Sequence, residues 1–203
     1  MSANRVATAI ALVASTLLGV LATDGLRAFT TEGARRLDIA ARPRALPVVR
    51  LEPASGETLA SDALHGRVVL VDFIYTHCAA VCPLLSERFG ELQSALRERG
   101  LEGQVELLSV SFDPARDTAS RLAEYGIHVS ADPALWRLAR VPDPTELEVW
   151  LRSFGITVIP DGRGGFEHNA AIHVVDGRGR LVAVFDLERG RDALDAALAE
   201  PRG

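Results

Sequence analysis

Cys78 and Cys82 are the only cysteines of the chain, and both fall in one run, Thr76-His77-Cys78-Ala79-Ala80-Val81-Cys82-Pro83. A thiolate attacks disulfides and binds soft metals, so a close thiol pair offers either redox or metal chemistry. The usual redox pair of α/β folds is C-x-x-C; here three residues intervene. The extra residue widens the loop and lets two sulfurs point at one ion, although such a pair can still oxidise. A metal needs further ligands, and the candidates are His65, His77, His128, His168 and His173. Two buried cysteines acting as small hydrophobes, or a permanent structural disulfide, explain the pairing less well. The first would leave unexplained why the thiols share one strand-to-helix turn.

The elements that must hold these groups alternate between strands and helices. Ala45–Leu51 and Glu57–Ala60 read as entry strands around Ser55-Gly56. Arg67–Tyr75 is nearly all apolar, as a strand buried on both faces should be. Pro83 suits a first helical position and Gly100 the residue just past the end; Leu85, Phe89, Leu92 and Leu96 between them form one apolar stripe. This places Cys82 at a helix N-terminus, where unpaired N–H groups and the dipole favour a thiolate. Val105–Phe112 reads as a second strand. A helix follows from about Asp117 to Tyr125, ended by Gly126, and another opens at Asp143-Pro144 with Glu146 in a capping-box position. Ala170–Val175 and Arg180–Phe185 form a hairpin around Asp176–Gly179, and Asp192–Leu198 a final helix. The pattern predicts an α/β sandwich of thioredoxin type over residues 46–203.

Ahead of that body, Val6–Thr23 is uncharged and follows Arg5. As a helix this 18-residue run reaches about 27 Å, just short of a ~30 Å hydrocarbon core. A retained signal anchor over residues 1–23 and a cleaved signal peptide compete; no clean small-x-small site precedes Asp24, which favours the anchor. Residues 24–45 read as a polar, Arg-rich tether. With six Arg against Asp24, Glu32 and Asp38, residues 1–44 carry +3, which leaves −8 of the net −5 for residues 45–203. An acidic body excludes a nucleic-acid-binding domain, which needs a basic face. Arg27, Arg35, Arg36 and Arg42 behind the segment would by themselves hold the body in the cytoplasm. The thiol chemistry argues the other way, because loading of a soft metal and disulfide exchange escape the glutathione pool only outside it.

Three segments carry a family resemblance: VVLVDFIYTHCAAVCP, SFDPARDT at Ser111–Thr118, and EHNAAIHVVDGRGRLV at Glu167–Val182. Together they resemble the SCO/SenC family over about residues 47–198. The resemblance implies a membrane-tethered thioredoxin-like copper protein that supports assembly of the copper A centre of cytochrome c oxidase. It implies as ligands the two cysteines of C-x-x-x-C-P, here Cys78 and Cys82, and a distant His. That His precedes an Asp by eight residues and a Gly by eleven; His168, before Asp176 and Gly179, is the match. His173 falls where the family has a strand residue. The family's D-H-S reads Glu167-His168-Asn169 here, and its Leu-Thr-Gly after the Trp reads Leu138-Ala139-Arg140. Both departures bear on partner contacts and on the surroundings of the ligands, not on the ligands.

Two thiolates and one imidazole suit Cu(I) in a three-coordinate site, and Cu(II) with a fourth, weaker ligand. Structural zinc wants four protein ligands, and no fourth is evident. His168 lies in a Gly-rich stretch, PDGRGGFEHN, able to fold over the cysteines. His77 should point away from its neighbour Cys78, His65 and His128 read as surface residues, and Asp113 either shapes a partner surface or caps a turn with Pro114. The leading expectation is a copper metallochaperone rather than an enzyme, held at the inner membrane by a single pass with its domain outside the cytoplasm. Its partners would be a copper-bearing oxidase subunit or another copper chaperone. The alternative is a thiol–disulfide oxidoreductase reducing a client's cysteines, which needs Cys78 and Cys82 but not His168. A peroxide-reducing cysteine is a weaker third.

Overall fold

The structure, a computed structural model, describes residues 3–22, 30–78 and 82–200; in the first helix it describes side chains only at 8 and 10–18. The chain divides into two units, residues 1–42 and 43–203.

The first unit holds two helices, α1 (Ala3–Ala22) and α2 (Thr31–Ala41). α1 covers the segment read as an anchor, and its described side chains Ile10, Leu12, Val13, Leu17 and Leu18 are exposed. Among the described residues no helix is long and apolar enough to cross a membrane. The expected tether is not wholly extended. Thr30 caps α2 by accepting the Gly33 N–H at 3.0 Å, and Glu32 pairs with Arg35 and Arg36 one turn on. The polar composition that reads as linker therefore also supports a surface helix through i,i+3 and i,i+4 ion pairs.

The second unit is mixed α/β. Its strands are β1 (Arg44–Ala45), β2 (Arg50–Pro53), β3 (Leu59–Ala60), β4 (Val68–Ile74), β5 (Val105–Ser111), β6 (Trp136–Arg140), β7 (Val158–Pro160), β8 (Phe166–His168), β9 (Ile172–Val175) and β10 (Arg180–Phe185). Its helices are α3 (Cys82–Glu98), α4 (Ala119–His128), α5 (Pro144–Phe154) and α6 (Gly190–Ala199). One sheet runs in the order β1-β10-β9-β4-β5-β6-β2-β3, and β7-β8 form a separate pair. β4, β5 and β6 are parallel, and β9 is antiparallel to β4. Every residue of β4 and β5 is buried, as their apolar runs require.

β4 divides its side chains by parity. Val68 and Leu70 join Phe89, Leu92 and Leu96 of α3 and Leu194 and Ala197 of α6 in one core. Phe73 faces the other way, edge-on to Trp150 and Phe154 of α5. Asp72 shares the parity of Leu70 and is fully buried. α4 departs from its sequence reading. Gly126 lies inside the helix, which runs on to His128 and turns out through Ser130 at φ 58°. A Cβ at Gly126 would meet Leu138 Cδ1 at 3.3 Å, so close packing on β6, not chain termination, is what this glycine serves.

Topology brings the site together. β4 and β5 are parallel, so the residues after both strands emerge at one edge. β9 runs the other way beside β4 in the register Leu70↔Val174 and Val71↔His173. The segment before β9 is therefore delivered to the edge at which the cysteine turn begins.

Candidate metal centre

Cys78 and Cys82 bracket the turn between β4 and α3. Cys78 is partly exposed and Cys82 buried. The Cys78 N–H bonds Tyr75 O at 3.2 Å, and the Cys82 N–H bonds Cys78 Sγ at 3.2 Å. The turn is anchored from beneath by Asp117. This fully buried carboxylate accepts the Thr76 N–H at 2.9 Å, the Thr76 hydroxyl at 2.6 Å and the Ser111 hydroxyl at 2.6 Å.

His168 ends β8, on an arm formed by β7, the 161–165 turn and β8. Asp161 organises the turn by accepting the N–H groups of Arg163 at 2.7 Å and Gly165 at 2.9 Å. Gly162 and Gly164 take φ of 71° and 91°, left-handed values that side chains resist. Phe166 exchanges two hydrogen bonds with the Tyr75 hydroxyl, and its ring meets those of Tyr75 and Phe112 edge-on. The His168 ring packs on Phe112 with centroids 4.8 Å apart. Behind it, Asn169 bonds Thr157 N–H at 2.7 Å and Gly155 O at 2.9 Å, tying the arm to the end of α5.

These supports bring His168 Nε2 to 3.9 Å from Cys82 Sγ, across 86 residues of sequence. An ion held by a thiolate at about 2.3 Å and an imidazole at about 2.0 Å, with an angle near 120°, would separate its donors by about 3.7 Å. The observed pair thus needs almost no movement to share an ion. Among the described residues no group of three or more His, Cys, Asp and Glu side chains is gathered closely enough to hold one. Cys82 and His168 are the two donors already facing each other.

Burial sets the electrostatics. It pushes the Cys82 thiol well up, and the neighbouring Cys78 adds to the effect. This corrects the expectation of a thiolate favoured by the helix start: at 1% exposure the loss of solvation outweighs the dipole. Burial also holds the His168 imidazole below its ordinary value, with the Asn169 backbone opposing. A neutral thiol facing a neutral imidazole costs little in a dry site, and a cation displacing the thiol proton would restore balance.

The other histidines stand apart. His77 is exposed, with Nδ1 3.3 Å from Thr76 Oγ1, and His65 and His128 are exposed. His173 is fully buried between the rings of Phe73 and Phe154, with Nδ1 3.2 Å from Val71 O. Asp113 is buried and pairs with Arg116. Asp117, Tyr75 and Phe112 support the site although nothing about their side-chain types announced it. Their one signal was position, just after the parallel strands β4 and β5.

Comparison with known proteins addresses the family and the fold. The family model described as SCO1/SenC matches residues 49–201. A SCO1 protein homolog of Bacillus subtilis is 26% identical over 133 residues, 64% of this chain and 68% of that protein. The structure of Bradyrhizobium japonicum ScoI with copper bound superposes with a TM-score of 0.65 at 27% identity, covering 77% of this chain and 99% of that one. BsSco, described as a member of the Sco family of cytochrome c oxidase assembly proteins with a disulfide switch, shares the fold with a TM-score of 0.68. It is 21% identical, over 78% of this chain and 94% of its own. The α/β body thus has the fold of these thioredoxin-like Sco structures.

Proposed function

This chain belongs to the SCO1/SenC family, and from that premise we propose that it is a copper carrier. It binds copper through Cys78, Cys82 and His168 and passes it to the copper-bearing subunit of cytochrome c oxidase. The observation that carries this reading is the 3.9 Å approach of Cys82 Sγ and His168 Nε2. Cys78, with its sulfur turned toward the Cys82 amide, supplies the third donor. Two sulfurs and one imidazole form a soft set that suits Cu(I) better than zinc or magnesium. Each thiol releases a proton on binding, and the imidazole offers its lone pair without first losing one. The copper-bound B. japonicum ScoI and the membership of BsSco in a family of cytochrome c oxidase assembly proteins support the same assignment. The apolar side chains that α1 exposes support contact of that helix with a membrane, and the thiol chemistry supports a body outside the cytoplasm.

The test is Cu(I) titration of the full chain in detergent with its thiols reduced, followed by absorption spectroscopy of the Cu(II) form. Sulfur-to-copper charge-transfer bands are expected, and His168→Ala should weaken affinity at least tenfold. Unchanged affinity in that variant rejects the ligand set. A second reading, thiol–disulfide exchange with a client, draws on two cysteines four residues apart. It requires that His168→Ala retain full exchange activity while Cys78→Ser and Cys82→Ser lose it.

A further inference from the structure

Resting on that copper-carrier reading, we infer that Arg116 is a positioning residue: the latch that holds the His168 arm closed over the cysteines and so sets how fast the ion leaves. Arg116 lies between β5 and α4, outside the proposed ligand set. Its guanidinium makes three contacts at once. Nε pairs with Asp113, a carboxylate that is itself buried. Nη1 donates to Gly164 O at 2.6 Å. The guanidinium carbon lies 5.3 Å from the centroid of the Phe166 ring. Gly164 and Phe166 are four and two residues before His168, so two of the three contacts fall on the arm and none on the cysteine turn.

The grip matters because the rest of the arm is weakly held. β7 and β8 pair only with each other, outside the main sheet. The 161–165 turn rests on left-handed glycines and on hydrogen bonds to Asp161, a member of the same turn. Tyr75 holds Phe166 through neutral hydrogen bonds of 3.2 and 3.3 Å. Arg116 adds a charge-assisted bond, and Asp113 fixes the direction of its planar fork. A guanidinium that is 39% exposed can exchange its arm contacts for water without unfolding anything. Release of Arg116 removes the arm's one charge-assisted tie and leaves the neutral bonds to Tyr75 and Asn169 and the ring contacts to Phe112, so that His168 swings from the sulfurs more readily and leaves two thiolates holding the ion.

The test has a metal-free arm and a copper arm, both on the full chain. In the copper-free protein, amide exchange over residues 158–168 should quicken about tenfold in Arg116→Gln, with β4 and β9 unchanged. Arg116→Lys, which keeps the charge but not the fork, should fall between. Unchanged exchange in Arg116→Gln overturns the latch. In the loaded protein, transfer of Cu(I) to a competing chelator should also quicken about tenfold in Arg116→Gln. In the His168→Ala background the same substitution should change transfer by less than twofold, because the latch acts only through that imidazole. Faster amide exchange with unchanged transfer overturns the claim that the latch governs release. A wild-type chain that takes up no copper rejects the preceding function and leaves the latch to be judged on amide exchange alone.

Discussion

The two halves of the site are held in opposite ways. The two ends of the cysteine segment are tied down from inside the fold: Cys82 is 1% exposed, and the Asp117 carboxylate that holds Thr76 is fully buried with three donors on it. The His168 arm is a two-stranded flap that rests on the buried rings of Tyr75 and Phe112 but is otherwise held by Arg116, Asp161 and Asn169, outside the main sheet. One half is set when the domain folds; the other can be loosened one side chain at a time. A carrier needs that asymmetry, because donors that are all rigid release slowly and donors that are all loose bind poorly.

Asp117→Ala should give the largest break between the halves. It strands the Thr76 N–H and the hydroxyls of Thr76 and Ser111 in a dry region, and bonds to a carboxylate are strong. Urea denaturation should report a loss of about 3 kcal/mol, with copper binding impaired through the displaced turn. Asp161→Ala, which disturbs only the arm, should leave the global midpoint nearly unmoved. Equal losses in the two variants would erase the distinction.

The next effect sharpens the inner half and concerns pH. Asp72 lies on β4, on the face covered by α3, and burial raises its carboxyl to about 7, with the Ser109 side chain opposing. The folded value exceeds the unfolded one. This group therefore leaves stability intact below about pH 4 and removes it progressively as pH rises through about 7. At about 1.4 kcal/mol per pH unit in that window, wild type should lose roughly 2 kcal/mol between pH 5.5 and pH 8 on account of this residue. Asp72→Asn should abolish that slope and be the more stable protein at pH 8. Parallel stability curves for the two would show that Asp72 does not carry the pH dependence.

The same contrast separates what was legible in the sequence from what was not. The inner half was legible because its signals are local: the apolar run of β4, the Leu85–Phe89–Leu92–Leu96 stripe of α3, and Pro83 at the helix start. The cysteines came with those elements, and His168 came through family spacing, since no local pattern marks a loop histidine. The outer half was not legible. β7 and β8 are three residues each, too short for a period, and read as a Gly-rich loop. β6 was missed because Trp136 and Leu138 stand among Arg137 and Arg140, which lie along the sheet and pair with Glu106 and Glu52. Gly126 misled because a glycine chosen for close packing looks like one chosen to end a helix. The direction of the Cys82 shift was misjudged because sequence shows the helix start but not how deeply it is buried.

The smallest effect, on Asn169, separates the halves most finely. Its side chain closes the arm's far end by accepting from Thr157 N–H and donating to Gly155 O. Asn169→Ala removes both bonds, worth about 1 kcal/mol together at a partly solvated position. If the arm opens independently of the core, that energy is lost from the closing of the flap alone. The unfolding midpoint should then stay within error while Cu(I) affinity falls about fivefold, the ratio that 1 kcal/mol represents. If arm and core instead unfold as one unit, the whole penalty must appear in the urea midpoint. Which of the two measurements moves decides whether the halves are energetically separate.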